Sequence, residues 1–280
     1  METSARIHIC ICGNRKVFTS VLLTMLSIAE FTSEPVAVHL LTMDLSELDS
    51  RFLPVTEDER VILEEALQSG NPASSVALLD GRAAYMRLLH GGKNEKNHYT
   101  PYAMGRLLLT EFDLPDTVLY IDSDVMCCAD LAALYEIDLE GYEFAASLDV
   151  MGKFWIRRDY CNSGVMLINL KEARRTHLFE RARERVCKRR MAFPDQTALN
   201  RLVKKKRILP RRFNEQRAVR KDTVLKHFCQ GIRWLPFFKV YNIKQYEVGK
   251  VHRNLKITHF DGVYRNYQTL AEKYGLMQLQ

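Results

Sequence analysis

The sequence lacks the patterns that identify several large classes of protein. It has no internal repeat and no low-complexity segment, which argues against solenoid and disordered chains. Its best apolar stretch, residues 17–31, is interrupted by four hydroxyl side chains and is too short and too polar to span a bilayer. We interpret this stretch as the first helix of a globular domain, and no signal peptide or membrane anchor is evident.

Cysteine pairs at zinc-binding spacing are also missing. The seven cysteines are an odd number, and none of them form a C-x2-C pair. Cys10 and Cys12 fall on one face of a predicted strand, and Cys127 and Cys128 fall in another apolar run, as expected of core residues. Reduced thiols in a cytoplasmic protein fit this pattern best.

Positive charge is in excess and is unevenly distributed. The 280 residues carry a net charge of +7, the sequence pI is about 9.0, and much of the excess lies within residues 174–233. We interpret this region either as a solvated helix face with loops or as a surface for an anionic partner. Peripheral contact with the inner face of an anionic membrane through residues 171–233 is a secondary hypothesis, and no nucleic acid partner is expected.

Strand and helix patterns alternate along most of the chain. Strands are predicted at residues 7–11, 35–44, 74–80, 115–122, 142–149 and 161–170. Helices are predicted at residues 17–31, around 61–67, and at 102–112, 171–190 and 195–206, of which 171–190 is long and basic. This alternation is typical of an α/β fold with a mostly parallel sheet.

The regularity decreases after about residue 210. Only the short strand-like segments 222–228 and 255–260 stand out there. We therefore predict a single domain over residues 1–280, with an α/β core at about 1–210 and an irregular C-terminal portion at about 211–280.

A pair of aspartates ends the strand predicted at residues 115–122. Side chains alternate along a strand, so Asp122 and Asp124 point to the same side if the strand extends that far. Open α/β sheets bind ligands at the carboxyl ends of their strands. Two carboxylates there repel each other unless a cation such as Mg²⁺ or Mn²⁺ lies between them and bridges to phosphate oxygens. The alternative is an ordinary pair of turn aspartates, the role that we assign to Asp130 as a helix cap.

Seven segments stand in an order that resembles a known family. They are "YAMGRLLL", "VLYIDSDVM", "AASLD", "CNSGVMLINL", "FPDQTALN", "RRFN" and "LKHF". In this order they resemble the family 8 retaining glycosyltransferases, which include bacterial lipopolysaccharide galactosyl- and glucosyltransferases, and the resemblance extends over roughly residues 5–260. The resemblance implies a GT-A type, Rossmann-like fold, Mn²⁺ with Mg²⁺ as the alternative, a UDP-glucose or UDP-galactose donor, and a saccharide or glycoconjugate acceptor.

The resemblance also implies a metal site. It assigns the metal ligands to Asp122, Asp124 and a histidine near the C-terminus. His227 in "HFCQG" fits the family pattern better than His259 in "HFDG", although both remain candidates. His227 on an apolar run is otherwise a satisfied core histidine.

The implied donor contacts are spread along the chain. Arg106 would approach the diphosphate or sugar, and Asn162 would hold the sugar. Lys244, with Arg233 as its rival, would neutralise the leaving diphosphate. The remaining donor contacts are Asn14 and Lys16 near the base and ribose, Ser123 near the ribose, and the backbone N–H of Gly231 near phosphate. Val17 stands where the family has a tyrosine that stacks on uracil, which leaves the identity of the base open.

Three further residues are assigned to the reacting centre. By resemblance, Asp149 lies in the sugar and acceptor region, Asp195 hydrogen-bonds sugar hydroxyls, and Gln196 lies near the anomeric carbon. Asp195 also follows Pro194 as a helix N-cap candidate. An amide is a poor nucleophile, so retention of configuration by same-face attack is favoured over a covalent intermediate on Asp149 or Asp195.

Other functions remain as alternatives. A nucleotidyltransferase also uses aspartates and Mg²⁺, but "CGNRK" is a weak match to its glycine-rich phosphate loop. A non-catalytic nucleotide-sugar-binding homologue should have lost metal ligands, whereas both aspartates are present. Aromatic residues are available for an acceptor platform, although core packing is expected for most of them: Trp155, Trp234, Phe237 and Phe238.

Overall fold

The secondary structure alternates between strands and helices over most of the chain. A computed structural model describes residues 6–95, 101–233 and 239–280. Within these ranges the strands are β1 (Ile7–Cys12), β2 (Val36–Thr42), β3 (Ser75–Asp80), β4 (Thr117–Ile121), β5 (Val125–Cys127), β6 (Phe144–Leu148), β7 (Cys161–Asn169), β8 (Lys206–Leu209), β9 (Leu225–His227), β10 (Gly231–Arg233) and β11 (Lys239–Tyr241).

The helices connect and cover these strands. The α-helices are α1 (Phe18–Phe31), α2 (Glu57–Gln68), α3 (Arg82–Leu88), α4 (Ala132–Tyr135), α5 (Gly152–Trp155), α6 (Leu170–Arg175), α7 (Leu178–Lys188), α8 (Pro194–Leu202), α9 (Val248–Lys250) and α10 (Asp261–Tyr274). Short 3₁₀ helices occupy Arg15–Val17 and Arg211–Phe213, a longer one occupies Pro101–Glu111, and Val251–Leu255 forms a π-helical turn.

A seven-stranded sheet forms the centre, in the order β3–β2–β1–β4–β7–β6–β8. Strands β3, β2, β1 and β4 pair in parallel, as do β6 and β8, whereas β7 runs antiparallel to both of its neighbours. The prediction of an α/β fold with a mostly parallel sheet is confirmed. Parallel strands need crossover connections, and helices accordingly cover both faces of the sheet.

The two faces of β1 belong to different parts of the core. Ile7, Ile9 and Ile11 pack with α1, α2 and α10, whereas Cys10 and Cys12 pack with residues from 101–111 and α7. The prediction that these cysteines fill the core is confirmed, and burial raises the pKa of Cys12 to about 12. All seven cysteines are free thiols.

The hydroxyl side chains that interrupt the apolar pattern of α1 form hydrogen bonds inside the protein. Thr24 Oγ1 donates to the carbonyl of Val125, 2.8 Å away, and Ser27 Oγ accepts from the N–H of Cys127 at 2.9 Å. These bonds fix β5 directly after the aspartate pair. Among the described residues no helix combines the length and apolar character needed to cross a bilayer.

The prediction of one long basic helix over 171–190 is wrong. The chain forms α6 and α7, separated at Thr176 and His177, and His177 has the left-handed φ of 55°. The hydroxyl of buried Thr176 donates to the buried carboxylate of Glu143. This tertiary hydrogen bond holds Thr176 against the core, where a continuous helix is interrupted.

Three other segments differ from the sequence interpretation. Residues 255–260 form no strand, because the π-helical turn ends there and Lys256 takes a left-handed φ of 59°. The helix predicted at 195–206 ends at Leu202 and is followed by β8. The C-terminal portion also ends in the unpredicted helix α10, whose buried residues include Val263, Tyr267 and Leu270 at helical spacing.

Candidate functional site

The two aspartates and one histidine meet at the end of β4. His227 is the last residue of β9, which pairs with β5 so that His227 lies opposite Val125. The His227 Nε2 is 3.2 Å from Asp124 Oδ1 and 3.8 Å from Asp122 Oδ2. One ligand atom from each of the three residues lies within 4.8 Å of the others. His259 lies elsewhere, stacked on Phe31 and within 3.1 Å of the Cys128 carbonyl.

The imidazole of His227 is oriented by an amide. Its Nδ1 lies 3.2 Å from Asn214 Oδ1, and Asn214 Nδ2 in turn donates to Asn162 Oδ1 at 2.9 Å. The latter bond identifies the Asn214 oxygen as the atom facing Nδ1, so Nδ1 carries the proton. The lone pair of Nε2 then faces the two aspartates. Two carboxylates and a neutral imidazole held by an outer hydrogen bond fit a divalent metal such as Mn²⁺.

Gly164 makes room for this arrangement. Its carbonyl accepts from the N–H of Asp122 at 2.8 Å. A Cβ at this position would overlap His227 Cε1 and would lie 2.7 Å from His227 Nδ1 and 2.8 Å from Asp122 Oδ2. A glycine is therefore required for the imidazole and carboxylate to approach strand β7 this closely.

Arg106 links two carboxylates on the inner side of the cluster. Its Nη2 is 2.7 Å from Asp122 Oδ1, and its Nε is 2.9 Å from Asp195 Oδ2. Its remaining nitrogen donates to the carbonyl of Ser163, and the guanidinium lies over the ring of Tyr120. Burial opposes the charge of Arg106, but the carboxylates outweigh it, chiefly Asp122, and raise its pKa. Arg106 is thus a fixed cation in the interior.

The outer side of the cluster has a second cation. Lys244 Nζ is 2.6 Å from Asp124 Oδ2 and also donates to the carbonyl of Phe228 at 3.2 Å. Burial favours the neutral form of Asp124, but its contacts with His227 and with the Lys244 ammonium outweigh burial and lower the pKa of the carboxyl. The side chain of Lys244 remains 27% exposed, unlike that of Arg106 at 6%. The side chain of its rival, Arg233, lies outside the described residues.

The residues assigned to the reacting centre form a connected network. Asp149 Oδ2 accepts from Asn162 Nδ2 at 3.0 Å and from Gln196 Nε2 at 3.2 Å. Gln196 Oε1 accepts from the N–H of Ser163 at 2.9 Å. Asp195 lies in the first turn of α8 rather than at its cap, which is Phe193, so the N-cap assignment is wrong. Its carboxylate faces Arg106 instead.

Three predicted donor contacts lie outside this network. Among the described residues no hydrogen bond or ion pair joins Asn14, Lys16 or Gly231 to it. Asn14 is buried and interacts with the hydroxyl of Tyr102, Lys16 is exposed, and Gly231 packs against the ring of Tyr241. These three assignments, like the others in the site, stay predictions. The aromatic candidates Trp234, Phe237 and Phe238 lie outside the described residues.

Four contributors were not identified from the sequence. Tyr120 was interpreted as part of an apolar strand, yet its hydroxyl donates to Asp122 Oδ1 at 2.9 Å. Buried Gln245 donates from Nε2 to the carbonyl of Ser123 at 2.8 Å, which ties the turn between the aspartates to the C-terminal portion. Asn214 and Gly164 complete the set. Asn214 had a signal, since it ends the quoted segment "RRFN".

Comparison with known families identifies the chain. The sequence profile described as "Glycosyl transferase family 8" matches residues 8–266. The chain belongs to this family. Two glycosyltransferases of Streptococcus pneumoniae serotype 4 match locally: GlyF is 40% identical over 65 residues, and GlyA is 33% identical over 64 residues. These matches cover 23% of this chain, but only 16% of GlyF and 9% of GlyA.

Several solved structures share the fold. An active-site mutant of LgtC aligns with a TM-score of 0.66 and 18% identity, and the alignment covers 97% of both chains. The galactosyltransferase LgtC in complex with donor and acceptor sugar analogs aligns at 0.65 and 19% identity, with the same coverage. GlyE of Streptococcus pneumoniae TIGR4 aligns at 0.62 and 19% identity over 97% of this chain and 63% of GlyE. The predicted GT-A type fold is confirmed.

Proposed function

We propose that this protein is a metal-dependent retaining glycosyltransferase that moves a hexose, glucose or galactose, from a UDP-sugar to a hydroxyl of a saccharide or glycoconjugate. The meeting of Asp122, Asp124 and His227 between two cations carries this proposal. Family membership supports glycosyl transfer as the reaction class. The identities of the sugar, the metal and the acceptor class are part of the proposal.

The charges of the site suit a nucleoside diphosphate leaving group. A divalent cation held by the two aspartates and His227 would neutralise the diphosphate as the glycosidic bond breaks. Lys244 is more exposed than Arg106 and contacts one carboxylate, that of Asp124, whereas Arg106 contacts two. We propose that Lys244 turns from Asp124 to the diphosphate when the donor binds. Arg106 stays paired with Asp122 and Asp195 and fixes the position of Asp122.

The hydrogen bonds around Asp149 and Gln196 support same-face attack. Asp149 accepts four hydrogen bonds, two at each carboxylate oxygen, from the amides of Asn162 and Gln196 and from the N–H groups of Met151 and Gly152. A carboxylate stabilised in this way is a weak nucleophile. Asp195 is paired with Arg106, and the Gln196 amide is bound at both ends. We propose that these groups orient the sugar and that the donor phosphate helps to deprotonate the acceptor.

A donor panel tests the proposal. The protein is incubated with UDP-glucose, UDP-galactose and sugars of other nucleotides, each with Mn²⁺, Mg²⁺ or chelator and with or without a soluble saccharide acceptor, and nucleoside diphosphate release is measured. We expect Mn²⁺-dependent release from one UDP-hexose, and an axial linkage in the product by NMR if the axial donor bond is retained. A folded protein that cleaves no donor contradicts the enzymatic function, and equal release with chelator contradicts the metal.

A matched pair of aspartate variants tests the metal site independently of activity. Asp124→Asn should abolish the shift in unfolding temperature that Mn²⁺ produces. Asp138→Asn changes an exposed side chain that accepts from the N–H of Glu140 and lies outside the cluster of Asp122, Asp124 and His227, and it should keep that shift. An unchanged Mn²⁺ response in Asp124→Asn would remove the site from consideration.

The location of the protein belongs to the same proposal. We propose a cytoplasmic enzyme whose basic residues within 171–233 attract anionic lipid at the inner face of the membrane. Exposed cations of this region, including Arg189, Arg190, Arg217 and Lys221, support the hypothesis.

We also propose that residues 1–280 form one domain.

A further inference from the structure

Three consecutive hydrophobic side chains project from the surface at α5. Phe154 is 74% exposed, Trp155 is 73% exposed and Ile156 is 41% exposed. Core packing, which was expected for most of the four aromatic candidates, does not apply to Trp155. Single exposed hydrophobic residues are ordinary, but a contiguous group of large ones marks a surface that contacts another apolar phase.

The three hydrophobic side chains project outward because the backbone around α5 is held by hydrogen bonds and packing. Asp149 Oδ1 accepts from the N–H groups of Met151 and Gly152, at 3.0 and 2.6 Å. Gly152 packs against the ring of Tyr160 so closely that a Cβ would lie 2.8 Å from Tyr160 Cε1. The carbonyl of Gly152 also accepts from the N–H of Ile156 at 2.8 Å. The backbone that presents the hydrophobic group is thus held by the protein's interior.

Cations flank the hydrophobic group on both sides. Lys153 Nζ lies 5.0 Å from the centre of the Phe154 ring, and Arg157 and Arg158 follow Ile156. Asp159 is the adjacent carboxylate, and it already binds Arg157 and, at 3.3 Å, Lys206. Among the described residues Lys153 and Arg158 form no ion pair. The surface therefore combines an apolar tip with cations whose charge is not compensated locally.

We propose that residues 153–158 dock the protein onto an anionic lipid surface, with Phe154, Trp155 and Ile156 in the interfacial layer and Lys153 and Arg158 on lipid headgroups. Tryptophan is enriched at this layer of membranes, and cations near it gain from the negative surface potential. A stacking platform for a sugar is the competing use of Trp155. The outward projection of three adjacent side chains, one of them an isoleucine without a flat face, favours the lipid.

The position of the surface connects it to the site. Helix α5 follows β6 and starts three residues after Asp149, which lies in the network with Asn162 and Gln196. Docking through α5 would hold the reacting centre close to the lipid surface. The proposal goes beyond glycosyl transfer, and it concerns a different surface from the basic residues within 171–233.

Co-sedimentation with vesicles tests the proposal. The protein is mixed at low salt with vesicles of phosphatidylcholine alone or of phosphatidylcholine with phosphatidylglycerol, and the bound fraction is measured. We expect binding to the anionic vesicles that falls at least about tenfold in Phe154→Ser/Trp155→Ser, since both rings leave the interface. In Lys153→Glu/Arg158→Glu, binding to the anionic vesicles should weaken by at least about fivefold for each positive charge that is removed.

Matched controls separate this surface from others. Met277→Ser removes a hydrophobic side chain that is 74% exposed elsewhere and should leave vesicle binding unchanged. Arg189→Glu/Arg190→Glu changes two exposed cations of the 171–233 region. A loss in the arginine pair with none in the α5 variants overturns the proposal, and so does wild-type protein that ignores anionic vesicles.

A kinetic readout distinguishes the sugar platform. If the Phe154→Ser/Trp155→Ser variant binds vesicles normally but has a raised KM for a soluble saccharide acceptor, the surface is an acceptor platform and the lipid proposal is wrong. Donor hydrolysis without acceptor should be unchanged in this variant, with an unchanged circular dichroism spectrum. If the wild-type protein transfers no sugar, the proposed function fails, but the vesicle experiment still tests the docking proposal because it measures binding and not activity.

Discussion

The two aspartates after β4 are held by different parts of the chain. Asp122 binds Arg106 and Tyr120, which belong to the α/β core, whereas Asp124 binds His227 and Lys244 from the C-terminal portion. The core side is interior scaffolding, since Arg106 is almost fully buried and holds two carboxylates. On the C-terminal side His227 is buried as well, but the side chain of Lys244 is 27% exposed. We infer that the core residues Arg106 and Tyr120 hold Asp122 rigidly. On the C-terminal side, we infer that Lys244 can leave Asp124 when a ligand binds.

The carboxyl groups on the two sides have opposite pKa shifts. Burial raises the pKa of Asp195, assisted by Asp122, and Arg106 only partly compensates. On the other side His227 and Lys244 overcome burial and lower the pKa of Asp124. An ionised carboxylate is therefore better stabilised where a metal is proposed to bind than in the interior beside Arg106.

Removal of Arg106 should have the largest effect. Arg106→Met leaves the buried carboxylate of Asp195 and the partly buried one of Asp122 without their shared cation, so the free energy of unfolding should fall by about 3–5 kcal/mol. Urea denaturation measures it. Arg87→Met removes an exposed arginine that is 2.6 Å from Glu111, and it should cost less than about 1 kcal/mol. Equal costs for the two variants would contradict the scaffolding role.

Filling the space at Gly164 should damage metal binding. The added methyl group of Gly164→Ala overlaps His227, so the imidazole must move and Mn²⁺ affinity should fall by about 10- to 100-fold. Calorimetric titration with Mn²⁺ gives the affinity. The control is Gly249→Ala, whose Cβ would have the flexible Arg253 side chain as its nearest neighbour, at an ordinary contact distance of 3.5 Å. Unchanged affinity in Gly164→Ala would show that His227 is not a ligand.

Replacement of Lys244 should separate binding from turnover. Lys244→Met should lower kcat/KM for the donor by about 10²–10³, the range for loss of one group that stabilises developing charge. Mn²⁺ affinity should not fall, because the ammonium competes for Asp124 Oδ2. Lys250→Met, which removes an exposed lysine paired with Glu247, is the control. Instability as great as that of Arg106→Met would break the distinction between the two sides.

Neutralising Asp195 should affect stability least. Its folded pKa is raised, so the folded state binds the proton more tightly than the unfolded state. Ionised Asp195 therefore lowers stability at neutral pH, and this cost decreases as the pH falls below the folded pKa and is gone below the unfolded pKa. Asp195→Asn should change the unfolding free energy by less than about 1 kcal/mol at pH 7. A cost equal to that of Arg106→Met would contradict the raised pKa.

The local elements were predictable where a pattern was strong. The strands at 7–11 and 161–170 and the first helix are confirmed because they are long and apolar with regular spacing. The predicted helix at 171–190 is wrong because the break depends on a hydrogen bond from Thr176 to Glu143, which lies 33 residues away. The last helix, α10, was missed although its apolar spacing was present.

The candidate site was predictable only in part. Strand alternation was the reason for expecting Asp122 and Asp124 on one side, but β4 ends at Ile121 and both aspartates lie in the turn before β5. The family resemblance proposed the remaining residues. Tyr120 was not identified because a tyrosine in an apolar strand is indistinguishable from a core residue. Gln245 was not identified because its partner is a backbone carbonyl, which leaves no trace in the sequence.

The sequence by itself determined the α/β alternation, the pair of aspartates at a strand end and membership of family 8. These depend on local spacing and on ordered segments, which can be read along the chain. Only the tertiary structure decided that His227 rather than His259 meets the aspartates, and that Lys244 binds Asp124 across 120 residues of sequence. The physical reason is that pairing of β5 with β9 joins distant segments, and charge partners are set by that packing.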